Sequence, residues 1–182
     1  MEKVIPRDEY ETLLKQLVQI QSPYFHEDDV MAFVCDWFEK KGVPAEIHTF
    51  YEPKETDFHG KNVVGIMDSG RPGPVIYLGG HLDTVQLCNG WTKPPYEGVT
   101  EDGYMYGVGA LDMKSGCAAI MLAVAKFAKE HQANGSFCGK LIYHLVSDEE
   151  GPYGLGTVFI INDNIHNVAK EADFAIIAEP SA

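Results

Sequence analysis

Six residues carry side chains that could do chemistry together: His81, Asp83, Asp112, Glu149, Glu150 and Glu179. One imidazole with several carboxylates and no thiolate is a ligand set of the zinc type. An all-oxygen calcium or magnesium site would have no need of His81. Residues i and i+2 of an extended segment point the same way, so Asp83 can hold one ring nitrogen of His81 while the other faces a metal. Taken alone, each feature has a plainer reading. His81-Leu82-Asp83 reads equally as a satisfied loop pair, and Asp112 as an acid favoured at a helix N-terminus. Glu149-Glu150 reads as an acidic loop, and Glu179 before Pro180 as a surface acid. The joint reading is stronger because each of them adjoins a predicted element of one sheet. On a strand end the two adjacent glutamates would diverge, one toward a metal and the other toward a reacting water.

The elements that must position these groups are read from periodicity. Apolar residues at helical spacing predict helices over 8–20, 27–41 and 115–131. In 27–41 the acids lead, the lysines close and Gly42 stops the run, as the helix dipole and C-cap rules favour. Short β-rich runs predict strands over 45–50, 62–67, 74–79, 140–146 and 173–178. A helix is predicted over 153–163, and the Gly-, Pro- and aromatic-rich stretch 86–103 reads as a loop. Strands alternating with helices predict an α/β fold, a three-layer αβα sandwich on a mostly parallel mixed sheet. In such sheets ligands sit beyond the carboxyl ends of the strands. That is where His81, the run Ser147-Asp148-Glu149-Glu150 and Glu179 fall, with Asp112 just ahead of the helix 115–131.

Composition removes several classes of function. With 27 Asp+Glu against 14 Lys+Arg and a net charge of −13, the chain lacks the basic face of a nucleic-acid binder. No apolar run long enough for a membrane helix occurs, and the N-terminus has no signal-peptide pattern. Cys35, Cys88, Cys117 and Cys138 are scattered without a CxxC, which predicts reduced thiols and a cytoplasmic protein, and argues against a cysteine-rich zinc site. A dinucleotide fold read from Gly107-Val108-Gly109 fails because Asp112 stands where the third glycine would be. A glycosidase pair read from Glu149-Glu150 fails because neighbouring residues do not readily flank a substrate at about 5–9 Å.

Four segments, GGHLDTV (79–85), GVGALDMKSG (107–116), SDEEG (147–151) and AEPS (178–181), resemble in order and interval the metal-site motifs of the M20 family of metallopeptidases and deacylases. The resemblance covers nearly the whole chain and implies a zinc-exopeptidase-like fold. It implies that His81 and Glu179 hold one zinc ion, Glu150 the other, and Asp112 both. Co2+ or Mn2+ are the substitutes to expect. Asp83 resembles the acid that orients His81, Glu149 the general base, and Asp112-Met113 the position of a cis peptide.

The implied reaction is hydrolysis of an amide in a small N-acyl amino acid or dipeptide-like molecule. A glutamate at 179 tilts the expectation toward the acyl-amino-acid side. Two departures stand out: Val108 replaces an arginine common in the family, and the chain ends where family members continue. Residues 1–182 are therefore expected to be the N-terminal portion of a catalytic domain, without the lid and dimerisation domain and without the late histidine of the second metal site. The alternative is a metal-binding domain with little catalysis of its own. A dimer is the expectation only for a full-length protein, and a monomer for this chain.

Overall fold

In α1 (Arg7–Gln19), Leu13, Leu14, Leu17 and Val18 recur on one helix face and are buried. In α2 (Asp28–Lys40), Val30, Met31, Val34 and Phe38 do the same. Burying each such side chain contributes roughly 1.5–3 kcal/mol. These residues bind the two helices into one core with α3 (Ser115–Phe127), whose Cys117, Ala118, Ile120, Met121, Leu122 and Val124 are also buried. The structure, a computed structural model, describes residues 5–132 and 135–180.

The helices cover a sheet of β1 (Glu46–Glu52), β2 (Phe58–Asp68), β3 (Val75–His81), β6 (Lys140–Val146) and β7 (Phe174–Ile177), ordered β1-β2-β6-β3-β7. The two-residue alternation of β6 explains the layering. Leu141, Tyr143 and Leu145 join the α1–α2–α3 core, whereas Ile142 and Val146 meet Val64, Ile160 and Val168 on the opposite face. That second layer consists of α4 (Leu155–Asn162) and the short α5 (Val168–Glu171).

The α/β sandwich expected from the sequence is thus present, on a mixed sheet. Its neighbouring pairs divide evenly: β1–β2 and β2–β6 are antiparallel, β3–β6 and β3–β7 parallel. The expectation of a mostly parallel sheet holds for strand direction, since only β2 opposes the other four, and not for the count of pairs.

A hairpin of two strands and a single helical turn went unread in the sequence. Inside and just beyond the predicted loop, β4 (Val99–Glu101) and β5 (Tyr104–Tyr106) form a separate hairpin around Asp102-Gly103. Helix α5 is a single turn, too short for periodicity to reveal. Cys35, Cys88, Cys117 and Cys138 are free. Among the described residues no helix is long and apolar enough to cross a membrane.

Candidate metal centre

Strands β6, β3 and β7 are adjacent and parallel, so they deliver their C-terminal residues to one edge. His81 is the last residue of β3 and pairs in register with Val146, so the turn 147–150 begins beside it. On the other side the N–H of Ala178 donates to the carbonyl of Gly79 (3.1 Å), which brings Glu179 level with His81. Asp112 arrives from the loop ahead of α3, where Gly109 takes a φ of +73° that favours glycine, and the Asp112–Met113 peptide is cis.

All six residues singled out in the sequence come together. His81 is 1% exposed. Its Nε2 lies 3.2 Å from Asp112 Oδ1, 3.6 Å from Glu179 Oε2 and 3.7 Å from Glu149 Oε2. Ligand atoms of His81, Asp112 and Glu150 lie within 4.8 Å of one another. The other ring nitrogen, Nδ1, lies 3.0 Å from the backbone oxygen of Asp83 and 3.4 Å from its Oδ1. A proton on Nδ1 therefore has acceptors behind it, and Nε2 faces the carboxylates.

Two groups outside the six hold this arrangement from behind. The Cys117 thiol donates to the carbonyl oxygen of His81 (2.9 Å), and burial pushes that thiol far above the ordinary cysteine range. Lys114, 1% exposed, donates from Nζ to the carbonyls of Leu17 (2.9 Å) and Ile20 (2.8 Å), tying the Asp112 loop to the C-terminal end of α1. Burial brings its pKa down to about 8. Neither residue offers a sequence signal beyond membership of an apolar stretch or proximity to Asp112.

The site is crowded with negative charge. Burial opposes a charged His81, but the carboxylates of Asp83 and Glu149 outweigh it and hold the imidazole up to about 9. Burial, followed by the charge of Asp112, raises Glu150. Burial, followed by a hydrogen bond shared with Asp112, raises Glu179. Carboxylates that repel one another around a single imidazole form the donor set a divalent cation relieves, so these residues fit a zinc-type ion.

Beside Asp112 and Glu150 opens a cleft of about 370 Å³ lined by Val85, Leu87, Trp91, Val108 and Leu111 among others. A larger cavity of about 740 Å³ lies between Pro6, Lys41 and Leu122, with none of the six residues in its wall.

Outside the motif, His144 is packed within β6, and the partly buried His166 brings its Nδ1 to 3.0 Å from His144 Nε2.

The family model for peptidase family M20/M25/M40 matches residues 77–182. The chain belongs to that family. A succinyl-diaminopimelate desuccinylase of Psychromonas ingrahamii is 32% identical over 172 residues, which are 93% of this chain and 42% of that protein. The enzyme of the same name from Methylorubrum extorquens is 31% identical over 93% of this chain and 43% of its own. This M20 chain therefore spans less than half the length of the curated relatives it matches. Among solved structures, human carnosine dipeptidase 1 superimposes with a TM-score of 0.78 at 19% identity, over 96% of this chain and 39% of that one. An M20 family metallo-carboxypeptidase of Sulfolobus solfataricus gives 0.73 at 17%, over 97% and 38%. At such identities the likeness concerns the fold.

Proposed function

We propose that this M20 chain is the N-terminal, metal-binding portion of a catalytic domain that hydrolyses an amide bond in a small N-acyl amino acid or dipeptide-like substrate. The observation that carries the reading is the meeting of His81, Asp112 and Glu150 within 4.8 Å, with the Glu149 and Glu179 carboxylates 3.7 and 3.6 Å from the same imidazole nitrogen. His81 and Glu179 would hold one zinc ion, Glu150 the other, and Asp112 both. When bound, zinc supplies the acidity that brings a water toward a pKa of about 7 and polarises the substrate carbonyl.

The chain's own residues supply the rest. Asp83 keeps the proton of His81 on Nδ1 and the Nε2 lone pair toward the ion. The Glu149 side chain, 49% exposed, takes the proton of the attacking water and returns it to the departing amine. The cleft beside Asp112 and Glu150 has the size of a small-molecule site, and its apolar wall suits an acyl group or an uncharged side chain. The sequence relatives are named for a desuccinylation and carnosine dipeptidase for cleavage of a dipeptide. Amide hydrolysis of a small molecule is the chemistry common to them.

The test is elemental analysis of the zinc-equilibrated chain, paired with a panel of N-acyl amino acids and dipeptides. Zinc uptake with turnover of a panel member that Glu149→Gln abolishes is the expected result. A chain that takes up no zinc would overturn the proposal. A second reading rests on the 42% coverage of the first relative: the chain alone binds metal without turnover. Zinc uptake with an inert panel favours that one.

A further inference from the structure

Glu27 lies outside all four motifs, immediately ahead of α2, yet it is 3% exposed. Buried carboxylates persist where they are hydrogen-bonded. Here one oxygen, Oε1, accepts the backbone N–H of Phe25 (3.0 Å) and that of Asp148 (3.0 Å), 121 residues apart from Glu27 in the second case. Both donors are non-glycine residues in the left-handed region, Phe25 at φ +69° and Asp148 at φ +51°. Such conformations are disfavoured for residues with a side chain and persist only where the surroundings hold them. One oxygen thus fixes the two strained points of two different segments.

Those segments bear on the metal centre. Asp148 directly precedes Glu149 and Glu150. Phe25 belongs to the stretch 22–27, which is stitched along the segment 81–84. Ser22 Oγ donates to the Leu82 carbonyl (2.8 Å), Thr84 N–H to the Ser22 carbonyl (2.8 Å), and Tyr24 N–H to the Thr84 carbonyl (3.0 Å). Pro23 bridges Thr84 in parallel. Glu27 therefore joins the turn that carries Glu149 and Glu150 to the segment that carries His81 and Asp83, from a third element that contributes no ligand.

We propose that Glu27 is a positioning residue for the metal centre, holding the Asp148–Glu150 turn in register with His81 through the hydrogen bond from the Asp148 N–H to its Oε1. This rests on the metal-centre reading given above. The function needed is that of an acceptor at one point, and a charge is not required. Burial and the Asp83 carboxylate raise the Glu27 pKa to about 7, so a neutral isostere is a fair substitute.

The test is the zinc affinity of the chain, measured by competition with a chelator well below its melting temperature. Glu27→Ala is compared with Glu27→Gln, which keeps an oxygen at the same reach. Residues that orient ligands from behind typically cost about 10–100-fold in metal affinity when removed. Glu27→Ala is expected to lose about 10-fold or more. Glu27→Gln is expected to stay within about threefold of wild type, a rescue that mere loss of bulk would not predict.

Where Glu27→Ala does not fold, Glu27→Asp serves in its place. It keeps the charge, withdraws the oxygen by one methylene, and is expected to lose affinity as alanine does. Wild-type affinity in the alanine or aspartate variant, or an equal loss in the glutamine variant, overturns the inference while leaving the metal centre in place. A wild-type chain that binds no zinc overturns the metal-centre reading and this inference with it.

Discussion

The backbone N–H of Glu150 donates to Oδ2 of Asp83 at 2.8 Å. The carboxylate whose Oδ1 stands 3.4 Å from His81 Nδ1 therefore also anchors the glutamate turn. Asp83 has no exposure to solvent, and among the described residues its Oδ1 has no hydrogen-bond partner apart from that imidazole contact. Removing the side chain deprives two segments of their common support. Asp83→Ala is expected to weaken zinc binding by about 10–100-fold. Asp83→Asn retains an acceptor for the Glu150 N–H but offers His81 a poorer partner, so a smaller loss is expected. Chelator competition on the two variants measures both. Equal affinities in wild type and Asp83→Ala would show that His81 needs no such support.

Glu149 and Glu150 are neighbours with different predicted duties. Glu150 offers a ligand atom within 4.8 Å of both His81 and Asp112, and Glu149 Oε2 lies 3.7 Å from the same imidazole, so the two roles are told apart by substitution. Glu149→Gln removes the proton acceptor and leaves the proposed ligands intact. It is expected to lower turnover by about 100-fold or more with zinc content unchanged. Glu150→Gln is expected to lower zinc content itself. Elemental analysis and initial rates on the two variants separate the roles, and matching zinc losses would contradict the assignment.

The strands and the main helices were legible because their signals are local. Leu13, Leu14, Leu17 and Val18 repeat at helical spacing, and the apolar run of β6 reads directly as a strand. The meeting of the six candidate residues was legible because motif order and strand ends place them on one edge. The supports behind them were not. Glu27 reads in sequence as one more acid leading a helix, and its contact with Asp148 joins residues 121 apart. Lys114 reads as a charge beside Asp112, although its partners are carbonyls of α1. His166 reads as a loop histidine, and only the packing of its turn on β6 brings it to His144. Chain folding creates these contacts, and no local pattern announces them. The hairpin of β4 and β5 was missed for another reason. Its strands are three residues each, below the length at which alternation is visible.

Gly116 tests how closely α3 must approach the Glu179 segment. A methyl group at this position would overlap the carbonyl oxygen of Ala178, a backbone atom without room to swing aside. Gly116→Ala would ordinarily favour a helix by about 1 kcal/mol. Here the overlap is expected to prevail, with a net destabilisation of about 1–3 kcal/mol and weaker zinc binding as Glu179 moves away from His81. Thermal denaturation with and without zinc is the measurement. A variant more stable than wild type, with unchanged zinc affinity, would show that the contact is loose.

His144 carries the clearest pH signature. It is fully buried within β6, its Nδ1 has no hydrogen-bond partner among the described residues, and its Nε2 meets His166. The ring of Tyr77 packs edge-on against it from β3. Burial, helped by the nearby His166 and His48, brings its pKa down to about 3 from an ordinary 6.5. The folded-state pKa thus lies below the unfolded one. Between pH 6.5 and 3 the unfolded chain takes up a proton that the native state refuses. The stability that neutral His144 contributes is therefore complete above pH 6.5 and lost as the pH falls toward 3, by on the order of 5 kcal/mol. Glu27 and Asp148, raised to about 7 and about 6, shift stability the opposite way as acid is added. Only the difference between wild type and a His144 variant isolates the histidine. His144→Phe keeps an aromatic ring against Tyr77 and has nothing to protonate, so its denaturant midpoint is expected to fall less than that of wild type between pH 6.5 and the acid limit of folding. Parallel pH profiles for the two proteins would mean that His144 accepts its proton within the fold.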